Sequence, residues 1–213
     1  MTDVAGVLVV GSGIAGLTYA LKVADEAHVL VVTKKSRAES NTNWARGGIA
    51  AGIGDDDTPE LHMADTLGAG DGLCHEDRVD ILVREGPARV AELVEWGARF
   101  HEEGGQLSLG REGGHSRRRI VRAGDRTGRE IERTLLDAVA AHPRIRVVQH
   151  LFVSDLLLDE DGRCRGLVTV DPRRGVVETL KAPVTLLASG GAGQVYRHTT
   201  NPSIATGDGV AMA

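Results

Sequence analysis

Residues 7–34 constrain this chain more than any other stretch. "VLVV" at 7–10 is a short, β-branched apolar run of the kind that forms a buried parallel strand. "GSGIAG" follows without a gap and places Gly11, Gly13 and Gly16 in a G-x-G-x-x-G spacing. "LTYALKVADEA" then puts Leu17, Ala20, Leu21 and Ala24 on one helical face. "HVLVVTK" at 28–34 supplies a second strand. Parallel strands need a crossover, and the crossover here is a helix of the right length. The expectation is a βαβ unit at the start of a doubly wound α/β domain.

Such a unit binds dinucleotides. Gly11 permits the tight turn out of the strand, Gly13 lets a pyrophosphate approach the backbone, and Gly16 lets the helix pack closely. Ser12, Ile14 and Ala15 complete the turn, whose free N–H groups face the phosphates. One element departs from the fingerprint. The second strand normally ends in an acid that binds a ribose hydroxyl, but here Thr33, Lys34 and Lys35 occupy that place. A lysine suits the 2′-phosphate of NADP, and it suits equally a position beside the adenosine of FAD.

Bulk properties exclude several classes. The chain has 213 residues, is 41% hydrophobic and 26% charged, and carries a net charge of −5, which argues against a nucleic-acid partner. No apolar run nears the ~18 residues of a membrane span, and the first residues lack a signal-peptide pattern. Cys74 and Cys164 lie far apart in no metal-like spacing, so both are expected as reduced thiols. His62, His75 and His101 share no ligand spacing either, and no metal is expected. A cytoplasmic location is the corresponding expectation.

"SNTNWARGGIAAG" at 40–52 has neither helical nor strand periodicity. An irregular path of about fifteen residues inside a compact domain is usually functional. Gly47 and Gly48 allow the backbone to lie against a flat ring, while Ser40, Asn41, Thr42 and Asn43 offer hydrogen bonds to its edge. Trp44 and Ile49 are unfavourable to leave exposed.

This stretch resembles the flavin-contacting loop, with its "AxGGI" core, of the succinate dehydrogenase and fumarate reductase flavoproteins, a family that includes the L-aspartate oxidases. The resemblance implies FAD as cofactor, with Asn41, Thr42, Asn43, Trp44, Ala45, Arg46, Gly47 and Gly48 in contact with it. Covalent members carry a histidine that falls at Asn41 here, so FAD is expected to be held non-covalently. Lys34 matches the lysine that ends the second strand in the aspartate oxidases.

Further along, "TPELHMADTLGAGDGL" and "EDRVDILVREGPARVAELVEWGARF" read as helices. Val79, Leu82, Val83, Val90, Leu93 and Val94 are their expected core residues, with a break or kink at Gly86-Pro87. "GREGGHSRRRIVRAGDRTGREIERTLLDAV" places Arg117, Arg118, Arg119 and Arg122 beside a Glu-Gly-Gly-His turn. On physics alone, a solvated face and a functional site stand about even. "REGGHSRRRI" and "DRTGREIERTL" resemble the aspartate oxidase pattern, whereas succinate dehydrogenase subunits have Gln at the place of His115. By that resemblance Glu112 orients L-aspartate, supplying an anion for its α-ammonium. His115 is read as a loop hydrogen-bonder, with substrate or proton-carrying roles as alternatives. Thr127 is the expected N-cap of the next helix, with Glu130 three residues on.

The last third reads as a short strand, "RIRVVQ", then three antiparallel strands with turns near Asp161-Gly162 and Arg174-Gly175. "VTLLASGGAGQVY" reads as a buried strand ending in glycines. By resemblance, the backbone of Phe152 and Val153 touches adenine and Asp208 contacts FAD. The fold expected is an FAD-binding, Rossmann-like three-layer domain: parallel sheet, helices and β-meander. Residues 1–213 are read as its N-terminal portion, with a capping domain and a C-terminal helical domain absent. The function implied is oxidation of L-aspartate to iminoaspartate for quinolinate and NAD synthesis, with dioxygen or fumarate as electron acceptor and a possible link to quinolinate synthase. The chain alone is expected to turn over no aspartate. The alternatives are a fumarate reductase or succinate dehydrogenase flavoprotein and a non-catalytic nucleotide-binding module.

Overall fold

The structure is a computed structural model and describes residues 5–213. In chain order its elements begin with β1 (Val7–Val10), α1 (Ile14–Val23), β2 (Val29–Thr33), the single turn α2 (Asn41–Trp44) and β3 (Ile49–Ala50). Then come α3 (Pro59–Ala69), α4 (Glu76–Glu95), and the short strands β4 (Glu102–Glu103), β5 (Gln106–Leu107), β6 (Leu109–Gly110) and β7 (Ile120–Val121). The chain continues with α5 (Thr127–Ala141), β8 (Ile145–Gln149), β9 (Phe152–Leu158), β10 (Cys164–Asp171), β11 (Val176–Lys181), β12 (Val184–Leu187) and α6 (Asp208–Met212). The described residues divide into two compact units, one formed by 5–44 with 135–213 and the other by 45–134.

The first unit is built on a four-stranded parallel sheet in the order β12-β1-β2-β8. Val7 to Val10 align with Val29 to Val32 on one side and with Val184 to Leu187 on the other. Side chains alternate across a strand, so β1 and β2 each serve two cores. Val7, Val9, Val29 and Val31 pack with Ala20 and Ala24 of α1. Leu8, Val10 and Val32 pack with Val153 and Leu167 of the three-stranded antiparallel sheet β11-β10-β9. This is why "VLVV" has no polar position, and it bears out the expected order of helix, parallel sheet and meander. The meander turns at Gly162 (φ 75°) and Gly175 (φ 64°), where the sequence places them.

β12 differs from expectation. Among the described residues it is an edge strand that pairs with β1 alone, and Val184 is 44% exposed rather than buried.

In the second unit α4 runs unbroken through Pro87, so the break expected there is absent. Val79 and Val83 are buried before the proline and Val90 and Leu93 after it, so both halves are anchored on one face. Leu82 and Val94, expected in the core, are 58% and 40% exposed. The buried stripe is narrower than the apolar pattern, and these two residues lie on its margins. Thr127 is also not an N-cap. It is the first residue of α5, its hydroxyl accepts from Ala123 N–H at 3.2 Å, and the Arg126 carbonyl closes the first turn. Glu130 accepts instead from Arg99 N–H at 2.8 Å and from Arg133. The Arg133 hydrogen bond is the largest influence holding its carboxyl below the usual range, against a smaller opposing effect of burial.

Leu8 is fully buried and carries the contact between the parallel sheet and the meander. Leu8→Ala is expected to lower unfolding stability by about 2–5 kcal/mol. Denaturant titration checks this.

Candidate functional site

The βα turn is shaped by contacts at the end of β1. Gly11 has φ 111°, and a Cβ there would lie 2.2 Å from the Ala188 carbonyl oxygen, so only glycine fits. A Cβ on Gly16 would lie 2.1 Å from Gly11 O, so this glycine lets α1 start against the turn itself. Ser12 is buried, and its hydroxyl donates to Thr33 Oγ1 at 3.2 Å, tying the turn to the end of β2. Gly13 is different. Its backbone is ordinary (φ −78°), and a Cβ would meet nothing nearer than Thr42 Oγ1 at 3.4 Å. The protein leaves room for a side chain where the sequence has none, in front of a helix N-terminus with no acidic residue in its first turn.

That room is part of a cavity of about 340 Å³ in the first unit. Gly11, Ser12, Gly13, Ile14 and Ala15 form one wall, and Lys34 at the end of β2 another. Phe152 and Val153 line it because Leu151 N–H donates to Thr33 O at 3.1 Å, starting β9 beside the end of β2. Asn41 and Thr42 also line it. Ser40 Oγ accepts from Asn43 N–H at 3.2 Å and so caps the single turn α2. Thr42 Oγ1 accepts from Ile14 N–H at 3.0 Å, docking that turn on the start of α1. Asn41 Oδ1 is buried with no hydrogen-bond partner among the described residues. Leaving such an acceptor unpaired costs on the order of 1–3 kcal/mol, which a bound donor removes.

Asp208 completes the cavity. Its Oδ2 lies 2.6 Å from Lys34 Nζ, and its Oδ1 accepts from Thr206 Oγ1 at 2.6 Å. Burial works to raise the Asp208 carboxyl, but the Lys34 and Thr206 hydrogen bonds with the Lys34 charge outweigh it and hold it below its usual value. Thr206 escaped sequence reasoning, as did Ala188, Ser189 and Ile204. Their signals were the glycines of "ASGG" and "ATGDG", which mark close backbone approach but do not say which neighbour lines a cavity.

The remaining expected contacts are placed elsewhere. Gly16 lies behind the turn, Asn43 turns within α2, and Trp44 is 59% exposed. Ala45, Arg46, Gly47 and Gly48 begin the second unit. Residues 40–52 are thus not one irregular ribbon, since α2 and β3 interrupt it. Gly48 has a packing reason of its own, because a Cβ there would lie 2.3 Å from Ile120 Cγ2 of β7.

The second unit contains the arginine-rich turn. Arg119 is fully buried and pairs with both oxygens of the equally buried Asp57, from Nε and Nη2 at 2.8 Å. Its Nη1 lies 2.9 Å from Asp65 Oδ2 without hydrogen-bond geometry, so that contact is electrostatic. Ser116 donates to the same Asp65 oxygen from its N–H at 2.7 Å and its hydroxyl at 2.8 Å. Burial acts to raise the Asp65 carboxyl, but these bonds and the Arg119 charge prevail and hold it low. Arg117 Nε bonds Asp56 O and lies 3.4 Å from Asp56 Oδ2, and Arg122 Nη2 lies 2.7 Å from Glu112 Oε1. Most of the arginine run is therefore committed to carboxylates of its own unit.

Glu112 is half exposed, and its second carboxylate oxygen has no partner among the described residues. His115 bonds its own loop through its backbone, its N–H donating to Glu112 O at 3.2 Å and its carbonyl oxygen accepting from Arg111 Nε at 2.7 Å, while its ring Nδ1 is buried with no partner among the described residues. It meets His62 edge to face with centroids 6.3 Å apart. His62 is 3% exposed, and its Nδ1 also has no partner among the described residues. Burial, then the Arg119 charge, pushes the His62 pKa below 6.5.

Residues 6–213 match the FAD binding domain family along nearly the whole chain. The chain belongs to that family. Its cofactor is FAD, and the cradle beside Gly13 and the orphaned Asn41 acceptor fit such a group. This FAD-binding domain is 54% identical over 209 residues to an L-aspartate oxidase of Nicotiana tabacum, which covers 96% of the chain and 32% of that protein. It is 51% identical to an L-aspartate oxidase of Streptomyces coelicolor over 98% of the chain and 37% of the relative. A quinol fumarate reductase of E. coli superimposes with a TM-score of 0.92 at 36% identity, over 98% of the chain and 36% of its own. The chain thus spans about a third of the length of these relatives. Both cysteines are free, and among the described residues no helix is long and apolar enough to cross a membrane.

Arg119→Met is expected to cost about 3–5 kcal/mol of unfolding stability by stranding Asp57, with Arg119→Met/Asp57→Asn closer to the parent. Urea midpoints of the three proteins test it. His62 resists protonation when folded, so the unfolded chain takes up more protons below pH 6.5. Stability from this source is complete above that value and falls as the pH drops below it. Urea titrations at about pH 7.5 and 5.5 are expected to show a smaller loss in His62→Gln.

Proposed function

We propose that the protein containing this chain oxidises L-aspartate to iminoaspartate with non-covalent FAD. The observation that carries this reading is identity of 54% and 51%, over 96% and 98% of the chain, to proteins named L-aspartate oxidase. When bound, FAD supplies the two-electron acceptor for oxidation of the Cα–N bond. Gly11, Ser12, Gly13, Ile14 and Ala15 hold its pyrophosphate at the start of α1. Lys34 and Asp208 flank the ribose, and the Phe152 and Val153 backbone lies against adenine. Asn41 and Thr42 bind and orient the flavin, and Asn41 lacks the imidazole that a covalent link uses.

Glu112 orients the substrate. Arg122 fixes one carboxylate oxygen and leaves the other to accept a hydrogen bond from the α-ammonium. Aspartate and succinate differ by that ammonium, so an anion at this place favours the amino acid. Dioxygen or fumarate serves as the final acceptor, and iminoaspartate passes to quinolinate formation, with quinolinate synthase as the candidate recipient. A cytoplasmic location belongs to this proposal and is checked by fractionation, since the Nicotiana relative is named as chloroplastic.

The fumarate reductase reading has one observation in its favour, the TM-score of 0.92. In the full-length protein, Glu112→Gln is expected to weaken use of L-aspartate about tenfold to a hundredfold while changing fumarate reduction little. Steady-state kinetics with both substrates decide. Equal losses, or no activity of the parent protein on L-aspartate, would remove the oxidase assignment.

A further inference from the structure

In a strand–turn–helix cradle of this topology, the residue just past the second strand selects the ribose. An acid accepts a free 2′-hydroxyl, and a cation accepts a 2′-phosphate. Lys34 stands at that place, so its charge by itself favours a phosphorylated ribose. The ammonium is not free, however. It lies 2.6 Å from Asp208 Oδ2 and donates to Thr206 Oγ1, while the Thr206 hydroxyl donates to Asp208 Oδ1. The Lys34 and Asp208 side chains are only 21% and 19% exposed, and both line the cavity. At such burial water screens the pair less than it would at the surface.

We propose that the Lys34–Asp208 pair is the ribose filter of this cradle. Asp208, 174 residues further along the chain, delivers the negative charge that β2 lacks. The filter accepts a nucleotide with a free 2′-hydroxyl and rejects one phosphorylated there. With Asp208 in place, a 2′-phosphate meets a cation already neutralised and a carboxylate of its own sign. Without it, the same phosphate meets an uncompensated ammonium. The hydrogen bonds from Lys34 and Thr206 keep Asp208 ionised at neutral pH, so the charge is present when the cofactor is selected. The pair also resolves the ambiguity of a lysine at this place, because sequence alone leaves NADP and FAD open. This inference rests on the cradle binding the adenosine diphosphate half of FAD, and not on the substrate oxidised.

The test is isothermal titration of the apo protein with ADP and with adenosine 2′,5′-bisphosphate, read as the ratio of the two dissociation constants. The parent protein is expected to bind ADP at least about tenfold more tightly. Asp208→Asn is expected to reduce that preference by about tenfold or more, and Lys34→Met, which leaves the carboxylate uncompensated, to widen it. The ratio cancels any general weakening of the site. If circular dichroism shows that Asp208→Asn does not fold, the Lys34→Met ratio decides alone. An unchanged ratio in the folded variants, or a parent that prefers the bisphosphate, overturns the filter. ADP binding with no change of ratio refutes the filter and leaves the cradle intact. Absence of ADP binding by the parent removes both.

Discussion

Everything in the first unit depends on β1 being buried on both faces. Four consecutive apolar residues supply two alternating sets of side chains, one for α1 and one for the meander. Hydrophobic burial is non-directional, but strand geometry divides it, and a shift of one residue would exchange the two cores. The register of β1 between β2 and β12 is therefore strongly specified. With it comes the position of Gly11, whose backbone passes too close to Ala188 for any side chain. The cavity lies beyond the ends of these strands because loops, and not packed side chains, occupy that edge of the sheet.

Two kinds of electrostatic commitment follow. In the cavity, Lys34 and Asp208 neutralise each other and leave the backbone at the start of α1 as the local source of positive potential. In the second unit, Arg119 is sealed with Asp57 and holds Asp65, which in turn holds Ser116. That chain of bonds anchors the segment following Glu112 to α3 and its preceding loop. An arginine-rich stretch that resembles an anion trap in sequence is largely a set of internal supports.

Much of this was legible in the sequence. "VLVVGSGIAG" specified strand, turn and helix because each residue answers to a local requirement, and the meander was marked by its Asp-Gly and Arg-Gly turns. What could not be read depends on partners distant in sequence. Thr127 and Glu130 satisfy a capping pattern, yet Glu130 is drawn to Arg99 and Arg133. Leu82 and Val94 fit the helical period, but the width of the buried stripe is decided by neighbours that periodicity does not name. Pro87 predicts a break from local chemistry, and the burial of apolar residues on both sides overrides it. At 40–52 the polar residues near a glycine pair concealed a serine-capped turn, because a single helical turn is too short to show a period.

The cavity wall is assembled from segments around residues 11–15, 34, 41–42, 152–153, 188–190 and 208. Contacts of such wide sequence separation form late, since each must first close a long loop of unfolded chain. Cofactor capture should therefore be among the last events of folding rather than a nucleus for it. While the chain is being synthesised, the glycine turn would exist as a half-built recess, waiting for a strand and a carboxylate not yet made.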